Sequence, residues 1–235
     1  MENRLLKDII GWDTETWRKF LSFLENTGID FRDKHVLEVG AGNGGLSLYF
    51  VMKGADVVCT DLVWRDGITE NHKRNDVADR ITYRQVGIND LSRYYENTFD
   101  IIVCKAVLGG IGIAGNGDLP EGIHEVYQCL KPGGYFIFCD SMHASLIHTA
   151  ARKRFGSHWH YFRREEIMAL CHEFTLVREH YYGYLAPFTR ILKDHYRIRN
   201  FFGKLDSVFF EKILPDSKKY MGCFVFRKDR TEPAD

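Results

Sequence analysis

Five short apolar runs separated by stretches of helical character constrain the fold of this chain more than any other feature. They are HVLEV at 35–39, ADVVCT at 55–60, ITYRQV at 81–86, FDIIVC at 99–104 and GYFIFCD at 134–140. Runs this short and this rich in β-branched and aromatic residues read as strands buried on both faces, and helices between successive strands make the strands parallel. The pattern predicts an α/β chain with a doubly wound sheet and helices at about 44–53, 66–76, 120–130 and 164–173. Pro132 and Gly133, just after Leu130, stop the third of these, because proline breaks the hydrogen-bond ladder and glycine accepts left-handed geometry. Two later strands are expected around 174–182 and 220–227, with an aromatic and basic segment, 183–219, between them. That segment is too long for a hairpin turn and is expected to be partly helical. Ahead of the first strand, Trp17, Phe20, Leu21 and Leu24 recur at spacings of three and four behind Asp13 or Thr14, which predicts an amphipathic helix over 13–26.

A length of 235 residues suits one domain, 1–235, with 1–34 as an N-terminal helical segment and 183–219 as an insertion. No apolar run approaches the roughly 18–20 residues needed to span a bilayer, and MENRLLKDIIGWDTETW lacks the layout of a signal peptide, so the expectation is a soluble, cytoplasmic protein. Cys59, Cys104, Cys129, Cys139, Cys171 and Cys223 stand apart without CxxC spacing and are expected to be reduced core residues. Lys plus Arg and Asp plus Glu both number 32, which argues against a nucleic-acid binder. The charge is uneven, however. Residues 1–140 carry 15 basic and 21 acidic side chains, whereas 141–235 carry 17 and 11. The basic third suits a solvated helical face, an anionic substrate or peripheral contact with a membrane.

VLEVGAGNGG runs from the first strand through Gly40, Gly42, Gly44 and Gly45 into the first helix. Glycines let the turn tighten and let a ligand approach where helix N–H groups are unpaired. Asp61, 21 residues after Gly40 at the end of the second strand, is placed to accept hydrogen bonds from a ribose diol. Gly40, Gly42 and Gly45 also satisfy GxGxxG, so a nicotinamide-dependent oxidoreductase is one alternative.

Glu38, the glycine turn, Asp61, GINDL at 87–91, FDIIVCKAVL at 99–108 and LKPGGYFIF at 130–138 together resemble the class I S-adenosylmethionine-dependent methyltransferases in motif, order and spacing. The resemblance covers about 35–140 and implies a seven-stranded, Rossmann-like, mostly parallel sheet whose last strand, YMGCFVFRK at 220–228, is antiparallel. It implies S-adenosylmethionine as cofactor, with Gly40, Ala41 and Gly42 in contact with it and Glu38 supporting its methionine end. Asp61 would bind the ribose hydroxyls and Leu62 would pack on the adenine. Asn89 or Ile88 would lie near the adenine, and Lys105 would begin the loop beside the transferring methyl. GWDTETWRKFLSFLE resembles a lid helix, and an ordinary helix closing the core is the equal alternative.

Methyl transfer from a sulfonium is an in-line displacement that needs mainly alignment, and a hydroxyl acceptor also benefits from a general base. Base candidates after the fifth strand are Asp140, His143, His148, His158 and His160, beside Tyr161, with His160 and His143 preferred. Tyr49 and Lys53 form a YxxxK pair, but in the helix after the glycine turn, where that reductase motif does not belong. No zinc-like spacing occurs, and KAVLGG stands where a nucleic-acid or protein-glutamine methyltransferase would carry NPPY. The expected acceptor is therefore a small molecule: a sugar, a lipid or a natural-product intermediate. A methyltransferase-like binding protein without turnover is the second alternative.

Overall fold

A computed structural model describes residues 3–11, 14–111, 113, 118–144, 159–185 and 196–230. The helices and strands that place the site are α1 (Asn3–Ile10), α2 (Thr14–Glu25), β1 (His35–Val39), α3 (Gly45–Met52), β2 (Asp56–Asp61), α4 (Asp66–Arg74) and β3 (Ile81–Gln85). They continue with β4 (Phe99–Lys105), α5 (Leu119–Cys129), β5 (Leu130–Ser141), α6 (Arg164–Leu170), β6 (Thr175–Tyr182), α7 (Tyr196–Leu205) and β7 (Met221–Arg227). The seven strands form one sheet in the order β3-β2-β1-β4-β5-β7-β6. Strands β1 to β5 pair in parallel, and β7 runs antiparallel between β5 and β6.

Side chains alternate between the two faces of a strand, and here both faces are covered. On β4, Ile101 and Val103 join one apolar core with α1, α2 and α3, while Ile102 and Cys104 join the other with α5 and α6. The same alternation divides Ile137 and Cys139 from Phe136 and Phe138 on β5, and Cys223 and Val225 from Phe224 and Phe226 on β7. It explains why β4, β7 and the second half of β5 read as continuous apolar runs. All six cysteines are free and buried, and no group of His, Cys, Asp and Glu among the described residues could hold a metal ion.

Three boundaries differ from the sequence reading. Strand β5 begins at Leu130, directly after α5, so Lys131 to Gly134 belong to the strand, with a register shift against β4 between Phe99 and Ile101. Helix α6 ends at Leu170, three residues before the expected end. Helix α1 was not anticipated. Eight residues give its apolar positions only two turns in which to repeat, yet Leu6, Ile9 and Ile10 are buried against α2 and α3. The 183–219 segment is partly helical as expected, and its part 186–195 lies outside the described residues. No helix among the described residues is long and apolar enough to cross a membrane.

Candidate cofactor and acceptor site

The C-terminal ends of β1, β2 and β4 converge on the glycine turn. Gly42 has a φ of 60°, and nothing lies within 4 Å of where a Cβ would stand, so the turn is open above it. Its N–H donates to Asp61 Oδ2 at 2.8 Å, and the N–H of Val63 donates to Asp61 Oδ1 at 3.1 Å. The carboxylate is thereby oriented at the end of β2, and each oxygen keeps a lone pair for a further donor. Beside it Leu62 is 46% exposed, an apolar side chain offered to solvent next to a fixed carboxylate. Open turn, oriented acceptor and exposed leucine together fit the ribose and adenine of a nucleoside.

The other glycines of the turn serve packing. A Cβ on Gly40 would meet Val107, and one on Gly45 would lie 1.8 Å from the carbonyl oxygen of Ile9, so only glycine lets α1 close on α3. His72, fully buried on α4, donates from Nε2 to the Gly44 carbonyl at 2.7 Å and accepts at Nδ1 from the Tyr83 hydroxyl at 2.9 Å. The carbonyl can only accept, which fixes the neutral tautomer, and burial holds the imidazole below its ordinary pKa.

Glu38 is buried at the end of β1 and receives the N–H groups of Leu46 and Ser47 and the Ser47 hydroxyl. It therefore satisfies orphan donors at the start of α3 from outside the helix. Burial pushes its carboxyl up to about 7, against the pull of these donors and of Lys105. Lys105 ends β4 on the same side of the sheet. Its ammonium donates to the Ile10 carbonyl at 2.8 Å and stands 5.2 Å from the centre of the Trp17 ring. Burial lowers it to about 8, opposed by the charge of Glu38. Two of the last carbonyls of α1 are thus hydrogen-bonded, Asp8 by Asn43 and Asn71 and Ile10 by Lys105, while that of Ile9 lies close against Gly45. The N-terminal helices are sealed onto the turn. Ala106, the residue after Lys105, has a φ of 52°, and its N–H donates to the Cys139 carbonyl.

Ile88 is buried against Gly122. Asn89 turns its amide to the Asp118 carbonyl at 2.6 Å and to Glu121, so it ties the 88–93 turn to the start of α5. Ala41, also buried, donates its N–H to the Thr60 carbonyl and closes the turn on β2.

On the acceptor side, Asp140 is buried and occupied. It accepts from the Gly109 and Ser141 N–H groups and from the Trp159 indole at 3.1 Å, and burial raises its pKa. Its work is to fasten the loop after β4 to the chain after β5. The 160–162 stretch extends that join, with His160 N–H donating to Gly109 O, Phe162 N–H to Ser141 O and His143 N–H to Phe162 O. His160 is half-exposed, with Nε2 at 3.3 Å from Glu166 and its ring 4.6 Å from Phe162, whose side chain lies in the core on the α5 side. Lys105 faces α1 and α2, on the other side of the sheet from the Phe162 side chain, and the exposed His160 ring belongs to neither core. His148 and His158 lie outside the described residues. Sequence reasoning missed His72, Trp159 and the asparagines that bind α1; their partners are 28 residues away for His72, 19 for Trp159, and 35 and 63 for Asn43 and Asn71, and no local pattern announces them.

A family profile described as a methyltransferase domain matches residues 10–179. The chain belongs to the methyltransferase-domain family. Its cofactor is accordingly S-adenosylmethionine, and the GxGxxG coincidence does not make it a nicotinamide enzyme. The chain is 28% identical over 135 residues to a ubiquinone biosynthesis O-methyltransferase of Chromobacterium violaceum, covering 54% of this chain and 56% of that protein. A counterpart from Acinetobacter baumannii is 27% identical over 120 residues, covering 50% and 48%. The chain thus spans about half the length of the curated relatives it matches. Among solved structures it is similar to Haemonchus contortus phosphoethanolamine N-methyltransferase 2 in complex with S-adenosyl-L-methionine, with a TM-score of 0.66, 19% identity and coverage of 91% and 53%. It is also similar to the [4+2]-cyclase SpnF, with a TM-score of 0.64, 15% identity and coverage of 93% and 82%. At these identities the likeness is one of fold.

Proposed function

We propose that the whole protein transfers a methyl group from S-adenosylmethionine to a hydroxyl or amine of a small molecule. The observation that carries this reading is the Asp61 carboxylate, oriented by two backbone N–H groups beside the open Gly42 turn. When bound, the cofactor supplies an electrophilic methyl. The chain's own part is to hold it: Gly40, Ala41 and Gly42 along the turn, Asp61 on the ribose hydroxyls, and Leu62 with Ile88 and Asn89 around the adenine. Glu38 and Lys105 set the charge at the methionine end beneath α1 and α2. Excluding water and aligning the acceptor supply roughly 7–11 kcal/mol of such a reaction.

The curated relatives are O-methyltransferases of ubiquinone biosynthesis, which supports oxygen as the acceptor atom, while the phosphoethanolamine enzyme keeps nitrogen in view. For a hydroxyl, His160 is the first candidate base and His143 the second. The Glu166 carboxylate beside Nε2 of His160 would orient that ring and stabilise its protonated form. A structural neighbour named as a cyclase gives the second reading, a methyltransferase fold put to another use, its specific support.

The test is transfer of labelled methyl from S-adenosylmethionine to a panel of phenolic, sugar and amine acceptors. Label in a phenolic or sugar product, lowered about 10²–10⁴-fold in His160→Gln with cofactor affinity kept, supports O-transfer with His160 as base. Label in amines alone, indifferent to His160→Gln, removes the base. Cofactor binding with no labelled product from any acceptor class favours the second reading.

A further inference from the structure

Helix α7 continues through a π turn, Asp206–Phe210, into the helical turn Glu211–Ile213, so residues 196–213 form one rod beside the end of β6. Its inner side is fastened. Asp206 is buried and accepts the N–H groups of Tyr184 and Leu185 at 2.9–3.0 Å, Glu211 accepts that of Gly183 and pairs with Lys19 on α2, and Phe210 stacks on Tyr184 at 5.4 Å.

The outer side is apolar and, among the described residues, unpartnered. Phe201, Val208, Phe209 and Ile213 are between 55% and 67% exposed, while the other exposed large hydrophobics of the described residues are scattered over the rest of the chain. The π turn is where this face forms, since Asp206 turns inward there and Val208 and Phe209 turn outward. The rings of Phe201 and Phe209 stand edge-on to Phe202 and Phe210, which sets them out from the rod. Charge is sorted in the same way. Both acids of the described rod face inward, and the exposed Lys204 and Lys212 form no ion pair among the described residues. Phe201, Lys204, Val208 and Lys212 follow one another at spacings of three and four, a single stripe in which apolar and cationic residues alternate.

We propose that this outer face docks the protein on an anionic phospholipid surface. The rings and aliphatic side chains would enter the acyl boundary, and the lysines would extend their ammonium groups to the phosphates. A second copy of the chain fits the face less well, because a two-fold contact would set the lysine stripe against itself. The docking is independent of the identity of the methyl acceptor and is read without cofactor, so it stands or falls apart from the proposed methyl transfer.

The experiment is co-sedimentation of the full chain with vesicles of phosphatidylcholine containing about 30% phosphatidylglycerol, and with phosphatidylcholine alone. Expected are partition to the anionic vesicles only, weakening in high salt, a drop of at least about tenfold in Phe201→Ser/Phe209→Ser, and a drop of about twentyfold in Lys204→Gln/Lys212→Gln. Met52→Ser, an exposed apolar residue on α3, should partition as the unaltered chain does, and melting temperatures confirm that every variant is folded. Absence of partition, or partition that ignores both double variants, overturns the proposal. A concentration-dependent dimer that Phe201→Ser/Phe209→Ser dissolves, without vesicle binding, also overturns it and makes the face a contact between copies.

Discussion

Asp61 holds two backbone N–H groups and is still free to accept two more donors, so its loss removes acceptors from the ligand without removing a buried partner from the fold. Asp61→Ala should weaken S-adenosylmethionine binding by at least about tenfold in a calorimetric titration, given roughly 1.5–3 kcal/mol for each hydrogen bond to a charged group. Its circular dichroism should be unchanged. Equal affinity in a folded variant would take Asp61 out of the site. Lys105 presents the opposite case, a charge that burial disfavours. Its folded pKa near 8 lies below the ordinary 10.5, so between these values the unfolded chain binds more protons. Stability contributed at this position is therefore lowest below about 8 and rises as pH climbs toward 10.5. Compared with Lys105→Met, which cannot titrate, the unaltered chain should gain in relative melting temperature across that window, and groups that Lys105 does not touch, unlike Glu38, cancel in the difference. A difference that stays constant with pH would show that Lys105 carries no such penalty.

At the scale of elements, the seal between α1 and the glycine turn depends on one missing side chain. Gly45→Ala would drive a Cβ into the Ile9 carbonyl and push α1 away from α3, with Asn43 and Lys105 losing their carbonyl partners. Overpacking of this kind costs about 1–3 kcal/mol, partly offset by the better helix propensity of alanine. Limited proteolysis should cut the variant faster ahead of α2 while β1 to β7 stay protected; equal cutting rates would mean that α1 adapts. What the sequence made legible follows the same line. Strands and helices whose periodicity lies within a single run were readable to within a few residues, as was the tight glycine turn after β1, because turn chemistry is local. Helix α1 was too short to show a period. The fastening of Asp140 by Trp159, which converts a candidate base into a structural acceptor, depends on a contact between separate segments that no spacing encodes.

For the molecule as a whole, any ligand that binds only the native state raises the melting temperature by mass action, by about 2.7 kcal/mol of stability at a hundredfold excess over its Kd. The apolar cores on the two faces share six of the seven strands of one sheet, so ligand bound at the ends of β1 and β2 should stabilise the whole transition and not a detached part. S-adenosylhomocysteine or S-adenosylmethionine is therefore expected to shift the entire melting curve upward, and NAD and NADP to leave it in place. The discrimination rests on the proposed site: both cofactor classes would seek a ribose acceptor such as Asp61, and the buried Glu38 and Lys105 are the charges proposed for a methionine end. Asp61→Ala should reduce the shift given by the adenosyl ligands, which ties the whole-molecule readout to the proposed ribose acceptor. Stabilisation by NAD alone would overturn that assignment of the site, and stabilisation by neither ligand would count against a cofactor site at the Gly42 turn.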